Sequence, residues 1–427
     1  MRRLSARFIP LLTVVTLALG QENYGNKLTF GMKKVASATN QFGIDMFRTM
    51  TRSHNLTSMA FSPLSVSTAL AAIMLGSRGE TTMTLRHALY LWGMYPDAIH
   101  QAYRDLLSHI ANNLRASVIP RTPGDRFRFS EESDNELLFY SSMYVQRDYA
   151  IKYPFQKDLL EYYNTTVHPL DFVMSREETK DHINAVVAKQ TNGRIMNILP
   201  DMPPMTTNIL FLNGLHFVGS LDMTSSDNVH FIRDYKTSGF RPQNSRYNSD
   251  DNPLVKNSKQ TGPRYGEHAY LNARAVEIPF RGGLLSLVIL LPKEPTSMSL
   301  LETRLSAQRL SDVILNMHPK SVNLKMPHIK TEENHRNMLA ELGNMGLGSI
   351  FTPGYASLYG MSDFRWLHIT DIIHKACVEI KGVDHSTTAT TQSGGKEVVN
   401  IILDRPFMYF IMDNVSGLVI AMGKFSS

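Results

Sequence analysis

One cysteine, Cys377, in a chain of 427 residues rules out a framework of internal disulfides. It stands in an apolar, strand-like run, where a thiol behaves as a small buried hydrophobe; a nucleophile needs an exposed, electropositive setting. After the first 20 residues no apolar run reaches the roughly 20 residues that cross a bilayer, so no membrane anchor is expected. A phosphate loop, a Gly-x-Gly-x-x-Gly turn, a Gly-x-Ser-x-Gly elbow, a His-Glu-x-x-His helix and paired zinc cysteines are all missing. The 15 histidines scatter without ligand spacing. No metal, cofactor or catalytic group is therefore expected, and the chain does not read as an enzyme. Charge of one sign is also scarce. The net charge is +6, and three of the positive charges, Arg2, Arg3 and Arg7, precede the apolar run Phe8 to Leu19. Without them the balance is +3, which does not imply nucleic acid as a partner.

That basic and then apolar N-terminus, with the small residues Ala18 and Gly20 at its end, has the form of a secretory signal peptide cut before Gln21. The expected organisation is a signal peptide, 1–20, and one domain, 21–427, secreted to the extracellular space. A hydrophobic content of 43% with no compositional break fits a single large unit. In that compartment three Asn-x-Ser/Thr triplets, at Asn55, Asn164 and Asn414, are candidate glycosylation sites. Asn414 reads equally as a turn residue before the last strand.

Phe30, Val35, Phe42, Met46 and Phe47 recur at helical spacing and predict an amphipathic helix over 28–52. Ser62-Pro63 predicts the start of the next helix, the serine accepting free amide hydrogens and the proline standing where no donor is needed. The run Ala69 to Leu75 is apolar on all sides, so this helix should be buried, and Gly76 should end it. A further helix is predicted over 95–114 and a strand over 136–145. Between them a polar segment carries Arg121, Arg126 and Arg128, which either solvate a loop or bind a sulfated polysaccharide. Residues 241–266, rich in Asn, Ser, Asp, Lys and Pro, read as an exposed irregular loop.

The most informative stretch runs from His374 to Phe425. An apolar strand ending near Ile380 is followed by a small, polar, Thr/Ser/Gly-rich run, and then by apolar runs separated by the turn signal Asp413-Asn414-Val415-Ser416-Gly417. From Ser386 to Ser393 there is neither proline nor charge, and the threonines are β-compatible. Such a segment can be an exposed loop and can become a strand.

Asp404-Arg405-Pro406-Phe407, leading into Met408-Tyr409-Phe410-Ile411, resembles the C-terminal signature of the serpin family. Phe61-Ser62-Pro63-Leu64-Ser65, Leu212-Asn213-Gly214-Leu215-His216-Phe217, Val276-Glu277-Ile278-Pro279-Phe280 and His374-Lys375-Ala376 are similar to further motifs of that family, in the same order. The resemblance implies an α+β, serpin-like single domain with a large central β-sheet, further strand clusters, surrounding helices and an exposed reactive-centre loop. It implies a bait mechanism: an extracellular serine protease attacks the loop, an acyl-enzyme forms, and the cut loop enters the main sheet as a strand before hydrolysis is complete. Ser62, Ser65, Asn213 and His374, with Leu221 at the top, would form the region where the sheet opens. The hinge would be Asp384, His385, Ser386, Thr387, Thr388, Ala389, Thr390 and Thr391. The scissile bond is expected at Lys396-Glu397, which suits a trypsin-like enzyme, with Gly395 and Val398 as alternatives from counting along the loop. A monomer is expected to suffice, with sulfated glycosaminoglycan as a further candidate partner. Three features depart from the family's usual pattern. The hinge carries His385 and threonines where the family favours Gly-Thr-Glu and alanines, Leu221 stands where it has tryptophan, and the loop is a few residues short. They motivate an alternative, a non-inhibitory serpin that acts as an extracellular binding modulator of a protein partner or sulfated glycan.

Overall fold

The computed structural model describes residues 28–53, 58–113, 135–222, 228–232, 262–294, 298–335, 338–381 and 398–426. Helices α1 (Phe30–Ser53) and α2 (Pro63–Gly76) lie where apolar spacing placed them. Every residue of α2 except Leu75 is buried, as the apolar run Ala69 to Leu75 predicts, and the burial takes Ser65, Ser67 and Thr68 with it. The helix ends at Gly76 as expected, where Ser77 closes it by donating its N–H to the Met74 carbonyl at 3.1 Å. Glycine is needed there for close approach, since a Cβ on Gly76 would collide with Met361 and Phe155. The left-handed residue is Gly79, which opens α3 (Gly79–Ala88) at φ 56°. Helices α4 (Pro96–Asn113), α5 (Tyr153–Tyr163) and α6 (Arg176–Gln190) follow.

The described strands form three sheets. One has five strands in the order β11 (Ile329–His335), β12 (Ile369–Lys381), β4 (Ile209–Ser220), β2 (Asn135–Gln146) and β3 (Thr166–Leu170). A second has seven, in the order β1 (Met59–Phe61), β15 (Val419–Phe425), β14 (Phe407–Asp413), β8 (Leu285–Pro292), β7 (Ala273–Pro279), β6 (Arg264–His268) and β9 (His318–Pro319). The third has β13 (Val398–Ile402), β10 (Ser321–Pro327) and β5 (Asn228–Ile232). Strands β8 and β14 are buried at every position, which explains why their sequences run apolar instead of alternating. In the five-stranded sheet the central pair, β12 and β4, is parallel, from Ile369 opposite Ile209 to Lys381 opposite Ser220. Helix α2 packs against β2, β4 and β12, on one face of this pair.

Two expectations need correction. Arg264, Tyr265 and Gly266 are not loop but the start of β6, paired with β7. Arg264 is drawn in by Glu277, 2.6 Å from its guanidinium, and by the Ile314 and Met317 carbonyls, partners distant in sequence. Cys377 is only half-buried, because the alternation along β12 turns Ala376 and Val378 inward and Cys377 to the other face. The signal peptide 1–20, Asn55, the Arg121/Arg126/Arg128 cluster, the hinge Asp384 to Thr391 and Gly395 to Glu397 lie outside the described residues.

Candidate functional site

The N-terminus of α2 meets the five-stranded sheet where His374 on β12 stands opposite Asn213 on β4. All three groups at this crossing are removed from solvent, with Ser62 and His374 at 0% exposure and Asn213 at 1%. The Ser62 backbone N–H donates to His374 Nε2 at 3.0 Å, so the imidazole carries its proton on Nδ1, and that N–H donates to Asn213 Oδ1 at 2.5 Å. Ser62 Oγ accepts the Ser65 N–H at 3.0 Å and donates to the Ile420 carbonyl at 2.7 Å. Ser62 is therefore both the cap of α2 and a tie from that helix to β15. One histidine links β12, β4 and α2, and parting β12 from β4 must break its bond to Asn213. Ser65 sits beside this chain of bonds: its Oγ has no hydrogen-bond partner among the described residues, nor has Asn213 Nδ2.

Leu221 lies eight residues further along, roughly 26 Å at strand rise. It is fully buried, bridges Phe280 and donates its N–H to the Lys381 carbonyl at 3.4 Å, closing the end of the β4/β12 pair. Phe217 and Phe280 meet edge to face beside it, with centroids 5.1 Å apart. They supply aromatic bulk at this end of the sheet, and Gly219 has no room for a Cβ against them. Asn135 fastens the same corner, accepting from Ser220 N–H at 3.1 Å and donating to the Arg281 carbonyl at 2.6 Å. None of these partners was legible in the sequence, because each joins segments far apart in the chain. The same holds for Lys375, whose buried ammonium donates to the Met196 carbonyl at 2.7 Å and ties β12 to the segment after α6.

At the opposite end of β12, at a register shift, Asp371 accepts the Ile372 N–H at 2.7 Å. Burial, reinforced by Glu341, pushes its carboxyl up to about 7 from 3.8. The fold thus disfavours the ionised form. The contribution of this group to stability is complete below about pH 4 and is lost as pH rises through 7. Asp371→Asn keeps the acceptor and removes the charge. It should stabilise by roughly 2–4 kcal/mol at pH 8 and by less than about 1 kcal/mol at pH 4 in urea titrations. An equal effect at both values would rule out the charge as the cause.

Asn164 is exposed, in a left-handed conformation that caps α5. Asn414 is held as a turn residue: Nδ2 donates to the Gly283 carbonyl at 2.8 Å and its N–H to the Leu284 carbonyl at 2.9 Å, while Ser416 is bound to Asp413. Val398 opens β13, in register with Ser321. Among the described residues no group of three or more His, Cys, Asp or Glu is arranged to hold a metal, and no helix is long and apolar enough to cross a membrane.

A family model described as serpin (serine protease inhibitor) matches residues 37–427. The leukocyte elastase inhibitor of Sus scrofa is 28% identical over 93% of this chain and all of its own length, and that of Xenopus tropicalis is 25% identical with the same coverage. Among solved structures, maspin superposes with a TM-score of 0.74 at 24% identity, over 93% of this chain and 100% of that one.

Proposed function

The chain belongs to the serpin family, and on that premise we propose that it is a secreted inhibitor that traps an extracellular serine protease of trypsin-like specificity. One observation carries the reading: β12 and β4 are parallel neighbours, and the chain leaves β12 at Lys381 beside the closed end of that pair. A segment folding back from Lys381 runs antiparallel to both strands. Inserting it exchanges one parallel ladder for two antiparallel ones, the stronger pairing per residue. The protease serine attacks the carbonyl of the bait residue, the C-terminal amine leaves, and the acyl bond travels with the inserting strand. Water must then reach that ester in a displaced enzyme. Lys396 suits the bait position by charge, and it precedes β13. Cleavage after Val398 would instead require the ladder to Ser321 to break.

A second reading rests on the closed corner and the hinge. If His385, Thr387, Ala389, Thr391 and Ser393 alternate inward on insertion, most bring polar groups under the sheet, each unpaired hydroxyl costing about 1–3 kcal/mol. With Leu221 holding Lys381, insertion could be too slow to trap, which leaves a modulator that binds a protein partner or, through Arg121, Arg126 and Arg128, a sulfated glycosaminoglycan. The test is incubation of the mature chain, as a monomer, with trypsin-, chymotrypsin- and elastase-like proteases. A denaturant-resistant complex at the summed mass is expected, together with a released peptide beginning at Glu397. Lys396→Glu should cut the trapping rate by at least roughly 100-fold, since a pocket built for a cation rejects an anion. A peptide beginning at Val399, with elastase-like enzyme trapped instead, would move the bait to Val398. Cleavage without complex would put the binding reading first.

A further inference from the structure

The outer face of the five-stranded sheet, turned away from α2, brings three reactive groups together. Cys377 on β12 stands opposite His216 on β4 in the parallel ladder, so both side chains leave the same face from strands about 4.8 Å apart. On the far side of His216, Glu136 of β2 brings its Oε1 to 3.9 Å from the imidazole Nδ1, a buried nitrogen with no hydrogen-bond partner among the described residues. Thiol, imidazole and carboxylate follow one another across three adjacent strands, the order in which a nucleophile, its base and the group that orients the base are set. The segment after α6 stops one outward pair short of them, where Ile195 leaves Gly214 no room for a Cβ and the Met196 carbonyl takes the Lys375 ammonium. Cys377 is half-buried at that margin and so is reached from solvent. We infer that Cys377 is a thiol-exchange site, which takes up a low-molecular-weight disulfide as a mixed disulfide with His216 as its base.

The exchange balances without a further reagent. His216 takes the Cys377 proton, and the thiolate attacks one sulfur of the small disulfide. That S–S bond breaks as the mixed disulfide forms, and the departing thiolate takes the proton back from the imidazolium. The small disulfide is the oxidant, and one of its halves leaves as a thiol. Burial pushes the His216 imidazole below its ordinary 6.5; Arg194 and Lys381 add to the fall, while Glu136 and Glu379 oppose it. At pH 7 the ring is therefore a neutral base, and the carboxylates of Glu136 on β2 and Glu379 on β12 face the imidazolium that it becomes. Arg194, on the segment after α6, holds Glu136 in place at 2.8 Å. The exchange requires nothing of the trapping mechanism. Its consequence rests on the function proposed above: a strand entering between β12 and β4 must pass between Cys377 and His216, where an adduct crowds it. Entry would also separate thiol and base by a second strand spacing, to about 10 Å.

The probe is 2-hydroxyethyl disulfide, reacted with the full mature chain and followed by intact mass, Cys377 being the only cysteine in the sequence. A single adduct is expected, its rate half-maximal well below the ordinary thiol pKa of about 8.5. His216→Gln should slow the exchange roughly tenfold at pH 7, move the half-maximal pH up towards that value and leave the rate at pH 10 unchanged, because there the thiol ionises without help. A histidine that only shapes the strand would alter both rates alike. Should His216→Gln not fold, the half-maximal pH of the unaltered chain decides alone. No adduct on the folded chain, a half-maximal pH near 8.5, or equal slowing at pH 7 and pH 10 overturns the site. The adduct should slow complex formation with a trapped protease several-fold, and the same reagent should leave trapping by Cys377→Ala untouched. An adduct with undiminished trapping overturns the coupling and leaves the site. Failure of the unreacted chain to trap any protease bears on the proposed function alone.

Discussion

Nicking the chain between Lys396 and Glu397 should raise the midpoint of thermal unfolding by roughly 10 °C or more. The released segment gains a place between β12 and β4, which are in contact along the length of both strands. As an antiparallel middle strand it would pair its backbone on both sides, whereas before cleavage its end is anchored by β13 in another sheet. Several kcal/mol of withheld stability is then released, and in a protein of this size that moves the midpoint substantially. The inward threonines of the hinge reduce the gain, so Thr387→Ala and Thr391→Ala should each enlarge it. Calorimetry on intact and nicked protein, separated from the protease, is the measurement. An unchanged midpoint would mean that the cut segment stays outside the sheet, and trapping by insertion would be lost as an explanation.

Replacing His374 by alanine should cost roughly 3–5 kcal/mol in urea unfolding, the sum of two stranded polar groups and the space an imidazole leaves. The Ser62 N–H and Asn213 Oδ1 both lose their partner in a place with no access to water. The loss should also appear as faster opening of the β4/β12 pair, read by hydrogen exchange of amides in both strands, because the histidine is what joins them to α2. His374→Gln, which can replace one bond but not both, should fall between. A cost under about 1 kcal/mol would show that the sheet is held by its ladder alone and that the buried triad is incidental.

Much of this protein is written in short-range pattern. The burial of α2 follows from seven consecutive apolar residues, the C-terminal hairpin from two apolar runs about a turn signal, and the start of α2 from Ser62-Pro63. The order of the motifs along the chain likewise marks the family. Other features depend on partners that only folding brings together. Gly76 looks like a helix stop from its neighbours, yet its small size is demanded by Met361 and Phe155, more than seventy residues away. Arg264 reads as loop until Glu277 and the carbonyls of Ile314 and Met317 surround it. The closing of the sheet by Leu221, the aromatic pair Phe217 and Phe280 and the line from Cys377 through His216 to Glu136 all lie where distant segments meet. Local pattern sets which residues must leave water, because that depends on spacing along one element. Which group each buried polar atom finds, and which side chains become neighbours, is set by register between elements, and in this chain that is decided at the junction of β4, β12 and α2.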